Sequence, residues 1–419
     1  MNKEIKFKVD WLMWFLILLP TFYIVNKDLR HVQMNFFQFS VILMLATLHV
    51  NRWFGLFLAW ASFQVLFFTD VNTKNVLLQN IFFAGVLYHF VVKYVGAMRK
   101  YFWTLFGILA VNVVWCGFQY MQYDPIFHPA NPQFQTIFSD LSGFFGLPAF
   151  LGNYAAVVLP LCVIISPWLG LVAIPALIIS KSSFSLVAAG AGLLFFLWFR
   201  KRLFFWILLG VFLVGGLFYV AKYDAPGGQF SRRLKVWDLV LQESFKKQFF
   251  GHGLGSYGTS YAFVESTRNN KVAMVRSDPE MAEFVIAQAV ELKVDAVAEY
   301  IASQNGKPLN AKKIKQVAKD NGLALESWIQ PHNEFLGVFF HMGFVGLFFL
   351  FGFVFNIFRR FFRASKKDPE LVALCGAFLA ILIVSFAHFP FQVARLAGPF
   401  IVIMAMLETK LFRSESGQS

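Results

Sequence analysis

The stretch "WIQPHNEFLGVFFHMGFVGLFFLFGFVF", from Trp328 to Phe355, decides the fold class. Three polar residues, His332, Asn333 and Glu334, stand just after a proline, and an almost uncharged run follows them to Phe355. About 20 apolar residues in a helix are enough to cross the ~30 Å hydrocarbon core of a bilayer. The stretch therefore predicts a transmembrane helix with a polar cluster at its first end.

Apolar runs of similar length recur along the whole chain. The 419 residues are 58% hydrophobic and 14% charged, with 55 Phe, whereas soluble domains average about 25% charged residues. The composition predicts an all-α polytopic membrane protein with about 12 transmembrane helices of ~20 residues each. The predicted spans are 11–26, 34–50, 54–69, 75–93, 104–121, 147–165, 167–180, 184–199, 203–222, 334–357, 370–387 and 395–409. Because no small-residue cleavage site follows the first run, we expect a membrane anchor there, not a removable signal.

The distribution of Lys and Arg predicts the orientation of these spans. Alternate short loops and the two termini carry 17 of these residues, against five in the loops between them. The richer side is expected to be cytoplasmic. The net charge of +14 is then largely a topology signal, and no nucleic-acid partner is expected. The predicted domains are 1–223 with helices 1–9, a non-cytoplasmic loop domain over 224–333, and 334–419 with helices 10–12 and a cytoplasmic tail.

The loop domain is the largest polar block of the chain. Its segment "DPEMAEFVIAQAVELKVDAVAEYIASQNG" has helical spacing of Met281, Phe284, Val285, Val290, Val294 and Val297. Asp278 and Pro279 suit the start of a helix, and Gly306 lies beyond its end. A second short helix is predicted over 311–321.

Cationic side chains gather on the predicted non-cytoplasmic side. Lys181 lies between two short spans, Arg232 and Arg233 lie in "SRRLKVW", and His332 precedes a span. Taken singly, Lys181 could extend to the membrane interface, the arginines could be solvated, and His332 could cap a helix. Together they favour a phosphorylated, lipid-borne substrate, since guanidinium and ammonium groups bind phosphate and imidazole accepts protons near neutral pH. No motif for a metal or another cofactor is found.

Four segments resemble the O-antigen ligase and polymerase superfamily. They are "HNEFLGVFFHMGFVG", "SRRLKVWDLVLQESFKKQFFGHGLGSY", "AFLGNYAAVVLPL" and "HFPFQVARLAGPF", and the match covers roughly 145–410. Arg233 and Trp237 keep the Arg-x-x-x-Trp spacing, and a Gly-x-Gly-x-Gly run leads to Tyr257. Lys181 stands where many ligases have arginine, and His388 stands where an acid is usual.

The resemblance implies an inverting, metal-independent membrane glycosyltransferase of the GT-C type, without a cofactor, in the bacterial inner membrane. Such an enzyme moves a glycan from undecaprenyl diphosphate to an acceptor hydroxyl at the periplasmic face. Arg233, Arg232 and Lys181 would bind the diphosphate, and His332 and Arg233 would be catalytic. Further glycan or acceptor contacts would come from Asn333, Trp237, Tyr257, His388 and Arg395.

Three functions stay open. A ligase would use lipid A-core as acceptor in lipopolysaccharide biosynthesis, and a polymerase of O-antigen or exopolysaccharide would use a second lipid-linked repeat unit. A transporter or flippase of a lipid-linked glycan is the alternative from a different class. Such proteins are expected to carry ionisable or helix-breaking residues deep in several spans. The spans here are plain Phe, Leu and Val, which favours an enzyme.

Overall fold

A computed structural model describes most of the chain from residue 51 to residue 416. The described ranges are 51–68, 71–121, 141–210, 229–257, 261–266, 271–276, 279–292, 294–303, 325–328, 331–364 and 368–416, with 313, 316–317 and 320 besides. The predicted spans 11–26 and 34–50 lie outside these ranges, as do parts of 54–69 and 203–222.

The described chain is mostly helical. Five of its helices, α3, α4, α7, α11 and α12, are long and apolar enough to cross a membrane, which indicates a membrane protein. The count of twelve spans stays a prediction. The helices are α1 Arg52–Phe68, α2 Val71–Tyr94, α3 Met98–Tyr120, α4 Pro148–Ile165, α5 Pro167–Gly170, α6 Ala173–Ser180, α7 Ser183–Arg200, α8 Gln229–Lys246, α9 Pro279–Glu291, α10 Asp295–Ser303, α11 Glu334–Arg363, α12 Pro369–Ala387 and α13 Ala394–Glu415. Short 3₁₀ turns cover Gly143–Phe145 and Pro390–Gln392.

The chain divides into two compact units. The first unit comprises Met1–Gly55, Gln79–Tyr223 and Phe351–Ser419, and the second comprises Leu56–Leu78 and Asp224–Leu350. The second unit thus joins the predicted loop domain to part of an early span and to the first half of α11. The predicted domain boundaries separate membrane spans from a loop domain, whereas the two units are groups of residues that contact one another. The predicted boundaries therefore stay a prediction.

Close helix packing forms the core of the first unit. Helices α4, α7 and α12 pack together, and every residue of α4 from Phe150 to Cys162 is buried. Gly192 of α7 faces Gly376 of α12 so closely that a Cβ on Gly376 would lie 2.6 Å from the Gly192 carbonyl oxygen. Small residues allow this approach of two backbones, which is how membrane helices gain packing contacts.

We therefore expect Gly376→Ala to destabilise the first unit. The added methyl would meet backbone, which cannot rotate away, so the two helices must separate at a cost of about 1–3 kcal/mol. Gly107→Ala in α3 is the matched control, because no atom lies within 4 Å of its added Cβ. Thermal unfolding of both variants in detergent should show a lower midpoint for Gly376→Ala only. Equal midpoints would contradict the packing described here.

A small antiparallel sheet in the second unit corrects the all-α prediction. Strands β1 Tyr261–Ser266, β2 Lys271–Arg276 and β3 Leu325–Trp328 are arranged in the order β2-β1-β3. The first two strands pair with Tyr261 opposite Arg276 and Ser266 opposite Lys271. Two runs rich in β-branched and aromatic residues, separated by Thr-Arg-Asn-Asn, are typical of a hairpin. Helical periodicity, on which the prediction for this region rests, does not reveal that signal.

The long helix predicted after Asp278 is in fact two helices. α9 begins at Pro279 as predicted, but it ends at Glu291, and α10 begins at Asp295. The Val294 N–H bonds the Ala289 carbonyl at 2.9 Å, five residues back, which closes the first helix with a wide turn. An aspartate at a helix start is favourable there because of the helix dipole. Of the helix predicted over 311–321, only residues 313, 316, 317 and 320 are described, and they are helical.

The two helices share a small apolar core within the second unit. Ala282, Val285, Ala289 and Val297 are buried there. The predicted apolar face therefore holds for Val285 and Val297. Val290 is a correction: it is 67% exposed, because five residues along the helix from Val285 turn it about 140° away from the buried face.

Helix α11 is interrupted at Gly343, within the predicted span 334–357. This glycine has φ 65° and ψ −165°, outside the helical region. The loop after α8 replaces the lost helical bonds: Phe344 N–H donates to the Gln248 carbonyl at 2.7 Å, and His252 N–H donates to the Phe340 carbonyl at 2.8 Å. Non-helical backbone at membrane depth is tolerated where protein surrounds it and satisfies its polar groups. The predicted span 334–357 contains no such break, so this is a correction.

Candidate functional site

Helix α8 in the second unit positions Arg233. Its apolar residues Val236 and Val240 are fully buried against Tyr257, Tyr261 and Phe340. This packing fixes the rotation of α8 about its own axis, and it therefore also fixes the directions in which the other side chains of the helix point. Arg233 is half-buried beside this core, and Trp237 follows one helical turn later on the same face.

Trp237 joins α8 to the segment that carries His332. Its indole N–H donates a hydrogen bond to the Pro331 carbonyl at 3.0 Å. Pro331 is adjacent to His332 in the chain, so this bond places the imidazole near the face of α8 that holds Arg233. The contact accounts for Trp237 as a positioning residue; its predicted contact with a glycan stays a prediction.

His332 has an unusual backbone conformation. Its φ is 51°, in the left-handed region that few residues other than glycine adopt. The next residue, Asn333, caps α11: its side-chain oxygen accepts the Leu336 N–H at 3.0 Å, and its carbonyl accepts the Gly337 N–H at 2.8 Å. Helix capping is therefore the role of Asn333, not of His332. Asn333 is only 2% exposed, so capping explains this residue better than a glycan contact does.

Burial and a neighbouring charge hold His332 neutral. Desolvation is the larger cause and the positive charge of Arg233 the second, and together they lower the pKa of His332 to about 4 from an ordinary value of 6.5. Burial also lowers the pKa of Arg233, but a guanidinium keeps its charge in proteins at neutral pH. The two predicted residues thus lie close enough to influence each other. The pair comprises one fixed cation and one neutral proton acceptor.

Two other predicted residues of the second unit are placed differently. The backbone of Arg232 lies in α8, but its side chain is outside the described residues. Tyr257 is 4% exposed and packs edge-on against Phe340 at 5.5 Å. Its hydroxyl is buried without a hydrogen-bond partner among the described residues, and burial raises its pKa. A buried ring of this kind is better explained by packing under the loop than by stacking on a sugar.

The glycine run before Tyr257 is structural. Gly251, Gly253 and Gly255 all have positive φ, and a Cβ on Gly251 would lie 2.5 Å from the His341 carbonyl oxygen. The Gly253 N–H donates to that same carbonyl at 3.0 Å. These glycines bring the loop against the broken backbone of α11, so they support the helix that begins beside His332.

A separate polar group lies in the first unit, at the end of α6. Lys181 ends this helix with φ 49° and is exposed. Ser182 caps α7 by accepting the Ser185 N–H at 3.3 Å, and its hydroxyl is 3.4 Å from the His388 Nε2 atom. His388 is 5% exposed, at the end of α12. The structure thus brings the predicted residue His388 beside the residue that follows Lys181. Ser182 is not among the predicted site residues, although a serine before an apolar helix is a common capping signal.

Arg395 stabilises a loop of the first unit. Its guanidinium hydrogen-bonds the Phe144 carbonyl, and Gly146, with φ 79°, leaves room for it. The bond holds the 3₁₀ turn that precedes α4. Arg395 therefore has a structural role here, and its predicted contact with a glycan or acceptor stays a prediction.

Comparison of the chain with protein-family models and with curated proteins finds no match. Among the residues described, no group of three or more His, Cys, Asp or Glu side chains could hold a metal ion.

Proposed function

We propose that this protein is a membrane glycosyltransferase that moves a glycan from a polyprenyl-diphosphate carrier to an acceptor hydroxyl. The observation that carries the proposal is the Arg233–His332 pair. In this pair a half-buried cation helps to lower the pKa of a neighbouring imidazole, which is neutral. A transferase with a diphosphate leaving group needs both: a cation for the departing phosphate and a base for the incoming alcohol. In the periplasmic leaflet of a bacterial inner membrane, undecaprenyl diphosphate would be the carrier.

The proposed reaction is one inverting displacement at the anomeric carbon. The acceptor oxygen bonds to this carbon as the bond to the diphosphate oxygen breaks, and the bonding electron pair stays on the diphosphate. Arg233 meets the negative charge that builds there, an electrostatic contribution of typically ~2.7–4 kcal/mol. His332 takes the acceptor proton, worth about 10²–10⁴ in rate.

Donor binding should prepare His332 for this role. With a pKa of about 4 the free imidazole is neutral at pH 7, but it is a weak base. A diphosphate beside Arg233 brings negative charge that offsets the guanidinium, and a nearby negative charge raises the pKa of an imidazole. The base would then be strongest when the donor is in place. Lys181 and Arg232 as further diphosphate ligands, and Trp237, Tyr257, His388 and Arg395 as glycan contacts, remain predictions from the sequence.

The acceptor distinguishes the two enzyme functions. We favour a ligase that attaches O-antigen to lipid A-core, with a polymerase of lipid-linked repeats as the second candidate. The test is the purified protein with lipid-linked glycan and either lipid A-core or excess donor alone. A single shifted core-lipid band supports the ligase, and a ladder on the carrier supports the polymerase. Absence of any glycan transfer with both acceptors, in a folded preparation, would contradict the proposed enzyme activity.

A further inference from the structure

An apolar groove runs along the outside of α7 in the first unit. Phe195 and Trp198 of α7 line it, together with Phe205 of the helical stretch 202–210, Phe362 of α11 and Leu379 of α12. Its volume of about 340 Å³ is within the range of ligand-binding clefts, ~300–1,000 Å³. Trp198 and Phe362 are 42% and 58% exposed, so the groove is open to its surroundings.

Three consecutive cations, residues 200–202, come two to four residues after Trp198, which lines the groove. α7 ends at Arg200, the chain turns at Lys201, and a new helical stretch starts at Arg202. The turn is well defined, because the Lys201 N–H bonds the Leu197 carbonyl at 2.7 Å. The Arg202 guanidinium lies over the Trp198 ring, 5.6 Å from its centroid, which joins this cationic segment to the wall of the groove. We refer to residues 200–202 as the basic corner.

The basic corner carries three positive charges on exposed side chains. All three side chains are exposed, and within the described part of the chain none of them has a carboxylate at ion-pair distance. Arg360 of α11 is different: it pairs with Glu408 and, at 2.8 Å, with Glu415. Among the described residues of this unit, carboxylates thus pair with Arg360, and the basic corner stays accessible to an anion from outside.

We propose that the groove and the basic corner together bind an anionic phospholipid. The groove would take an acyl chain along α7, and the basic corner would take the phosphate headgroup. Clusters of Lys and Arg at a membrane surface attract anionic lipids in this way, with the largest effect on the cytoplasmic leaflet. The Lys and Arg distribution predicts that the corner is cytoplasmic. The site uses none of the residues assigned to glycan transfer and does not depend on that function.

The test compares lipids on the purified full chain. Tryptophan fluorescence is measured on adding phosphatidylglycerol or phosphatidylcholine with brominated acyl chains, which quench a nearby indole. We expect saturable quenching by phosphatidylglycerol at about tenfold lower concentration than by phosphatidylcholine, and loss of that component in Trp198→Phe. Arg200→Gln with Arg202→Gln should weaken phosphatidylglycerol binding about tenfold or more. Arg99→Gln with Lys100→Gln, two exposed cations at the start of α3, is the matched control and should bind as the wild type does.

Three results would overturn the proposal. Equal quenching by both lipids would mean nonspecific lipid contact, and equal weakening in both double variants would mean a general effect of charge. Loss of the preference for phosphatidylglycerol on adding millimolar inorganic phosphate, with no lipid bound at the groove, would mean that the site binds free anions. If the double variant does not fold, the wild-type lipid preference and the Trp198→Phe difference still decide the outcome.

Discussion

Replacement of Arg233 by glutamine is expected to lower glycan transfer by about 10²–10³ while the protein stays folded in membranes. Glutamine keeps much of the side-chain length but loses the positive charge, so the departing diphosphate loses an electrostatic donor worth ~2.7–4 kcal/mol. The apolar face of α8, with Val236 and Val240 buried, is untouched by this change. Transfer from lipid-linked glycan by purified protein in liposomes measures the effect.

The helix itself offers a matched control. Lys235 lies two residues beyond Arg233 and is exposed, so Lys235→Gln removes the same charge from the same helix. We expect near wild-type transfer in that variant, because an exposed cation is screened by solvent and salt. Arg233→Lys should recover part of the activity, since an ammonium meets phosphate charge but not in a forked pair. Equal activity of Arg233→Gln and Lys235→Gln would show that Arg233 does not bind the donor.

The contact between α8 and the segment that carries His332 shows which part of the candidate site could be predicted from the sequence. The spacing of Arg233 and Trp237 is local, and four residues along a helix bring both to one face, so that part was predictable. The hydrogen bond from Trp237 to Pro331 joins residues 94 positions apart, and no local pattern encodes it. Only the family resemblance and the predicted membrane side indicate that Arg233 and His332 lie near each other; their spacing along the chain does not.

The break in α11 shows a different limit. Gly343 stands in a run of Phe, Leu and Val that is equally compatible with an uninterrupted helix. Its conformation depends on the loop that follows α8, which supplies the Gln248 carbonyl for the Phe344 N–H at 2.7 Å. The positive φ of Gly251 and Gly253 allows that loop to approach. Each of these glycines is a weak signal alone. Only the tertiary contact between the loop after α8 and α11 explains why Gly251 and Gly253 are both present.

The remaining prediction concerns His332, for which asparagine is the informative replacement. Asparagine tolerates the left-handed backbone that His332 adopts, whereas alanine would add strain of about 1–2 kcal/mol. His332→Asn therefore removes the proton acceptor with little change in the chain. We expect a fall in transfer of about 10²–10⁴ with donor binding unchanged. If His332→Asn transfers glycan as fast as the wild type, another group must accept the proton.

The pH dependence provides a second, independent test of the same residue. Because the folded pKa is lowered to about 4, the folded state binds fewer protons at His332 than the unfolded state does between pH 4 and pH 6.5. This residue's contribution to stability is therefore complete above pH 6.5 and declines as the pH falls toward 4. NMR titration of labelled histidine should give a midpoint near 4, absent in His332→Asn. In Arg233→Gln the midpoint should rise, because the positive charge that disfavours the imidazolium is gone. An unchanged midpoint would show that the two side chains do not interact. The proposed pairing of a cation with a base would then be wrong.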